Sequence, residues 1–446
     1  MFINPLPLIV TLVGGYFLFK LRFFFIIHPF STMKKAFGGL KDSASFSSLT
    51  LALAGTLGVG NVFGVCVGIS LGGAGSVFWL FISGIFASVI KYCEVVISAD
   101  SRMKPRADSG GMAHVVRASS ERYGGLLFFA YALFCLLLAF VLGAAIQGNT
   151  LVSTFAKIFN TPMDVFVLAL LILVLLAVLG GTEKIIKMTS FLIPVSTIIY
   201  ICITLSIIVI HSSRLNEVVL QILHDAFTVK GGIGGLLGFI TSSSIREGYS
   251  RGILSNEAGA GTSTMAHTKS NVLNPAALGI MGIIEVIFDT WILCMLTAFA
   301  ILLPGFDSSL HPMEIMLGSI EKSLPACFNY AFLFCIFVFA YSTIICWYCY
   351  GAECVGILKG RRGGILYSIS FLAALGIGCF ADEYTLVVIS DILLLLLTVI
   401  CSFGLIKNSD RIKHLSERGG IINVKSRSGG VRFSNETYMR KRRNTK

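Results

Sequence analysis

The sequence predicts an all-α polytopic membrane protein, and three observations carry that expectation. Of its 446 residues, 55% are hydrophobic and only 13% are charged, about half the charged share of a soluble domain. The mean hydropathy is +0.84. Several apolar runs exceed the ~20 residues that cross a ~30 Å hydrocarbon core. The lipid bilayer is therefore the first partner to expect.

Eleven spans follow along the chain, at roughly 6–27, 48–72, 76–98, 125–156, 164–181, 190–210, 233–266, 275–303, 329–358, 364–381 and 384–405. The first lacks a positive leading region and a small-residue cleavage pattern, so it reads as a retained span and not as a signal peptide. Basic residues then alternate with the loops. Lys34, Lys35 and Lys41 follow the first span, and Arg102, Lys104, Arg106, Arg117 and Arg122 the third. Lys184 and Lys187 follow the fifth, and Lys359, Arg361 and Arg362 the ninth. The loops 72–76, 157–163, 304–328 and 381–384 hold few bases. The positive-inside rule places the N-terminus outside and the C-terminus in the cytoplasm. The net charge of +12 lies largely in a tail from about 407, expected to be poorly ordered, and does not point to nucleic acid. Segment 211–230 is amphipathic and too polar to cross, which suits an interfacial helix.

Two spans are poor helices. The second contains GTLGVGNVFGVCVGISLGG (55–73), with seven glycines around Asn61, although glycine weakens helices more than any residue but proline. Gly60, Gly64, Gly68 and Gly72 recur every four residues, so close helix packing accounts for them. Gly55, Gly58 and Asn61 fall on other faces and suggest a break. The seventh contains RGILSNEAGAGTST (251–264) within a stretch of 39 residues, Gly231 to Lys269, too long for one straight span; a re-entrant loop or cytoplasmic turn is the alternative to a broken helix. Freed peptide groups in a membrane are tolerated where protein or a polar ligand satisfies them. The weak spans lie five apart, the spacing of two inverted five-helix repeats after one extra N-terminal helix. The units are then 1–44, a first repeat at 45–210, the interfacial 211–230, a second repeat at 231–406 and the basic tail 407–446.

GTLGVGNVFGV, GGAGSVFWLF, AIQGN, GYSRGILSNEAGAG and FAYSTIICWYCYG, in that order across 45–405, closely resemble the alanine-or-glycine:cation symporters. That family is similar to the leucine-transporter (LeuT-like) architecture. The resemblance implies sodium-coupled uptake of a small zwitterionic amino acid, alanine or glycine, across the cell (inner) membrane. A proton-coupled carrier of another small amino acid is the alternative, and no further cofactor is implied. Position by position, Gly58, Gly60 and Asn61 match the broken first core helix. Gln147 and Asn149 match the third, Ser255, Asn256 and Glu257 the sixth, and Thr343 and Trp347 the eighth. Val59, Leu254 and Ala352 depart from the family's usual Thr, Phe and Glu.

For such a substrate, the amides of Gly58–Asn61 suit the carboxylate, and carbonyls around Ile253–Ser255 with Gln147 or Asn256 suit the ammonium. Sodium prefers oxygen ligands: carbonyls near Gly55 and Gly58 with the hydroxyls of Ser342 and Thr343. Those two hydroxyls point about 100° apart, so either one alone faces the site or both bond back to their own helix. Trp347, one turn beyond Thr343, suits a pocket wall, whereas Trp79 and Trp291 suit span ends. Lys91 and Glu94 read as a structural i,i+3 pair. Glu285 and Asp289 share a helix face and are candidates to carry protons, tune conformation or hold the broken helix; Asp391 is similar. His267 reads as a packing or gate residue, and Arg246 and Arg251 as facing a water-filled vestibule. No HExxH, GxSxG or paired-acid arrangement supports an intramembrane enzyme.

Overall fold

Backbone polar groups have no water partners inside hydrocarbon, so each apolar run must satisfy its own amides, and a helix does that. The computed structural model describes residues 4–27, 52–102, 111–180, 182–228, 242–268, 274–307, 310–359 and 364–421, and its regular elements are all helices. In chain order the principal ones are α1 (Leu6–Lys20), α2 (Gly60–Gly72), α3 (Gly75–Arg102), α4 (Gly124–Phe159), α5 (Met163–Gly180), α6 (Thr182–Ile210) and α7 (Leu215–Phe227). They continue as α8 (Ser243–Asn256), α9 (Thr264–His267), α10 (Pro275–Leu302), α11 (Pro312–Ser323), α12 (Cys327–Lys359), α13 (Gly364–Gly378), α14 (Glu383–Lys407) and α15 (Ser409–Arg418).

Among the described residues seven helices are long and apolar enough to cross a membrane: those of α3, α4, α5, α6, α10, α12 and α14. The other four predicted spans fall on the shorter apolar α1, α2 and α13 and on the polar pair α8 and α9. The Lys and Arg clusters at 34–41, 104–106 and 361–362 lie outside the described residues.

Glycine decides how closely three helices approach. On α8, a Cβ at Gly248 would sit 2.7 Å from Trp79 Cβ of α3. On α2, a Cβ at Gly68 would meet Arg251 Cγ at 3.0 Å, and one at Gly72 would meet Glu247 Cβ at 3.0 Å. The same stripe continues through Gly64, 3.9 Å from Leu254, to Gly60, 3.9 Å from Ser255 Cα. The four-residue repeat therefore is a packing face turned towards α8. The break lies just before it.

Two elements and one side chain differ from the sequence expectations. The loop 304–328 contains α11, opened by Pro312 at its first turn with Glu314 near the start and Lys322 near the end; these are ordinary helix signals. Residues 409–418, expected to be disordered tail, form α15. It buries Ile412 and Leu415, and Arg411 grips Asp100 of α3 through two hydrogen bonds of 2.8 and 3.1 Å. Trp291, expected at a span end, lies mid-way along α10 and donates to the Phe81 carbonyl at 3.1 Å. The amphipathic α7 lies against α3, where Trp79 donates to the Ala226 carbonyl at 2.9 Å.

Candidate functional site

The first break is short. Residues 52–56 are helical, Leu57 and Gly58 bend, and the chain resumes as a π-helical turn, Gly60–Gly64. Gly58 is wedged so tightly that a Cβ would lie 2.8 Å from both Gln147 Oε1 and Thr343 Oγ1. The amides expected to stand bare are partly occupied. Gly58 N–H donates to the Thr56 carbonyl at 2.8 Å. Val59 N–H donates to Gln147 Oε1 at 3.0 Å, while Gln147 Nε2 donates to Leu142 O at 3.3 Å. Gln147, expected to accept an ammonium, instead holds a freed amide of the break.

The second break is longer. α8 ends at Asn256, Glu257 adopts a left-handed φ of 55°, and Gly259 and Gly261 follow at 92° and 71° before α9 resumes. The Asn256 side chain accepts from Ala258 N–H at 2.9 Å and donates to Thr290 Oγ1 at 3.0 Å. Thr262 hydroxyl donates to Glu257 Oε2. Thus one freed amide of the loop is held by a side chain of the same loop, as a dry interior favours.

The two breaks meet at Asp289, which sits in the π-helical stretch Ile287–Cys294 of α10. Asn61 Nδ2 donates to Asp289 Oδ1 at 2.7 Å, and Ser255 hydroxyl to Oδ2 at 2.8 Å. Thr290 hydroxyl adds a bond to Oδ2 at 2.9 Å. One wholly buried carboxylate therefore ties the first broken segment to the second. Of the roles open to Asp289 from sequence, holding the broken helix is the one its geometry displays. Asn61 Oδ1 is buried without a hydrogen-bond partner.

Thr343 alone of the adjacent hydroxyls reaches the first break, donating to the Ala54 carbonyl at 3.0 Å. Ser342 bonds back to Val338 O at 2.6 Å and Phe339 O at 3.1 Å on its own helix. Trp347 is fully buried, its ring edge-on to Tyr350 at 5.5 Å, and its Nε1 has no partner. Asn149 lies apart from the breaks: its amide caps the end of α13, donating to the carbonyls of Gly378, Cys379 and Ala381 at 2.8–3.1 Å.

Other charges correct the sequence reading. Lys91 pairs with Glu285 of α10 at 3.2 Å and not with Glu94. His267 Nε2 meets the other Glu285 oxygen at 2.7 Å. Arg251 does not face open water: its side chain is 2% exposed and pairs with Asp391 at 2.6 Å. Arg246, 21% exposed, pairs with Glu247 at 3.0 Å.

A cavity of about 590 Å³ lies along α2 beyond the first break, lined by Phe63 and Val67, by Asn149 of α4, and by the starts of α11 and α14. His311 and Glu383 on its wall form an ion pair of 2.8 Å. The hydrogen bond that the His311 ring donates to Glu383 holds its pKa above the ordinary value, against the opposing pull of burial. A raised pKa means the attraction is complete below the unbound histidine's range and fades as pH climbs through the raised value. Wild-type thermal stability is expected to drop slightly from about pH 6 to about pH 9, and His311→Gln to remove that component. Equal slopes in a pair of melting series would contradict it.

The sodium:alanine symporter family model matches residues 1–413. The chain belongs to that family. It is a cation-coupled amino-acid transporter and not an enzyme. An uncharacterized transporter of Haemophilus influenzae is 29% identical, covering 88% of each chain. The sodium/alanine symporter AgcS of Methanococcus maripaludis is 29% identical over 83% of this chain and 84% of its own. A putative sodium/proton-dependent alanine carrier, YrbD of Bacillus subtilis, is 30% identical over 77% of this chain and 74% of its own. The motifs of this family member that fall at the two breaks are those that carried the resemblance. Asp289 lies outside those motifs, and the Gln147–Val59 bond joins two of them across 88 positions, which no local pattern displays.

Proposed function

We propose that the protein carries alanine or glycine into the cell with sodium by alternating access, over eleven spans arranged as one N-terminal helix and two inverted five-helix repeats of LeuT-like form. The observation that carries this reading is the meeting of two interrupted helices at Gly60 and Ser255, with the orphaned Asn61 Oδ1 beside them. A buried acceptor without a partner is costly, and a substrate ammonium would satisfy it. Gln147 Oε1 sits on the Val59 amide as a carboxylate oxygen would, so substrate entry replaces one acceptor with another. Thr343 Oγ1 and the carbonyl at Ala54, together with those at Gly55 and Gly58, form the oxygen set for sodium, with Ser342 turned back onto its helix. The N-terminus outside and the basic tail in the cytoplasm follow from the loop charges.

Uptake of radiolabelled alanine, as each enantiomer, and of glycine into proteoliposomes tests this. An inward sodium gradient is expected to drive accumulation. Uptake driven by a pH gradient and indifferent to sodium overturns the ion, and none under any gradient overturns the substrate. Trp347 is read as the wall that limits side-chain size. Trp347→Phe, which keeps most of the buried volume, is expected to raise competition by leucine or methionine by about fivefold, roughly 1 kcal/mol; unchanged competition removes Trp347 from the pocket.

A further inference from the structure

The charge balance around the second break is incomplete. Lys91, fully buried on α3, pairs with Glu285 and also donates to Ser263 Oγ at 2.8 Å. Its single positive charge is thereby matched by Glu285, whose second oxygen holds His267. Two further carboxyl groups act on Lys91, apart from Asp289, which three neutral donors hold. Glu257 is 2% exposed and Glu94, one turn from Lys91, is 0% exposed. Both oxygens of Glu94 lack a side-chain partner, and the backbone amides of Gly259 and Gly261 in the break lie beside them. His267 Nδ1 is likewise buried and unpartnered. The charged groups that act on Glu94 are Lys91 and Glu285; the neutral titratable groups near it are Cys93, Tyr131 of α4 and Cys401 of α14.

A carboxylate without a counter-charge of its own is not stable in a dry interior, and such a group takes up a proton or a cation. A proton needs one acceptor oxygen, whereas a cation needs several, and the groups beside the Glu94 oxygens are the N–H donors of Gly259 and Gly261.

We propose that Glu94, at the α3 face of the second break, binds one exchangeable proton that travels with the amino acid. The carboxylate takes H⁺ from water on the side where substrate enters. It gives H⁺ up on the other side when the Gly259–Gly261 segment shifts, and no covalent bond other than O–H changes. The travelling half of this statement rests on the amino-acid transport reading; the binding half does not.

The experiment has two arms on full-length protein. Infrared difference spectra between acidic and alkaline buffer are expected to show the carbonyl stretch of a protonated carboxylic acid. Glu94→Gln removes it, and Glu94→Asp, which keeps an acid, shifts it; this second variant serves where the first does not fold. No such band in wild type, or a band that neither variant alters, overturns the proton site. In proteoliposomes holding a trapped pH dye, alanine influx is expected to acidify the lumen. Glu94→Gln is expected to keep alanine counterflow and lose at least about nine-tenths of the acidification. Alanine influx without acidification in wild type overturns the travelling proton. An intact band with no alanine influx under any gradient contradicts the substrate reading while leaving the proton site standing.

Discussion

Asp289→Ala is expected to lower sodium-driven alanine uptake to about one hundredth of wild type. The carboxylate receives Asn61, Ser255 and Thr290, so its removal leaves three buried donors without their shared acceptor. Each such orphan costs about 1–3 kcal/mol, and two of the three sit on opposite breaks. The loss therefore falls on the alignment of the breaks as well as on stability. Asp289→Asn separates the two effects. It preserves volume, but its amide nitrogen faces a donor on one side, so it is expected to fold and to transport at about a tenth of the wild-type rate, about 1.4 kcal/mol. Uptake per folded molecule, with folding judged by monodispersity after detergent extraction, decides the matter. Wild-type rates in a folded Asp289→Ala variant would show that the carboxylate does not join the breaks functionally.

Gly58→Ala has the second largest expected effect. The added methyl would press on Gln147 Oε1 and Thr343 Oγ1 at 2.8 Å each, closer than carbon and oxygen approach without repulsion. Overpacking of this kind costs about 1–3 kcal/mol. Relief requires Gln147 to release Val59 N–H or Thr343 to leave the Ala54 carbonyl, and both contacts belong to the first break. Uptake is expected to fall by about tenfold or more, with a larger rise in the sodium concentration for half-maximal rate than in that for alanine. Gly15→Ala, where a Cβ meets nothing within 4 Å, is the matching control and is expected to leave uptake unchanged. A Gly58→Ala protein with a wild-type sodium response would remove Thr343 and its surroundings from the ion site.

What the sequence made legible follows from which residues leave a local mark. Apolar runs announce helices that lipid must surround, and clustered glycines announce places where a helix is weak. Hence Gly58, Asn61 and Ser255 were found at breaks that the structure contains. The stripe Gly60–Gly72 and the interruption at Gly58 are both present, one as packing and the other as bend, so neither reading excluded the other. Asp289 was visible only as a buried acid: its reach to both breaks depends on the π-helical turn at Ile287–Cys294, which shifts side chains off the ordinary 100° spacing. The ion pairs Lys91–Glu285 and Arg251–Asp391 join residues 194 and 140 positions apart, beyond any periodicity. By contrast, α11 carried Pro312, Glu314 and Lys322 as signals and was readable. The docked α15 was hidden by the basic composition of the tail around it.

Two interrupted helices, tied through Asp289, are proposed to hold a small zwitterion next to a cation. Equilibrium binding of radiolabelled alanine to the detergent-solubilised protein, in sodium against choline buffer, tests it most directly. Saturable binding is expected that tightens at least about tenfold in sodium and is lost in Asn61→Ala. Binding of equal strength in both buffers, or binding undisturbed by Asn61→Ala, would contradict it.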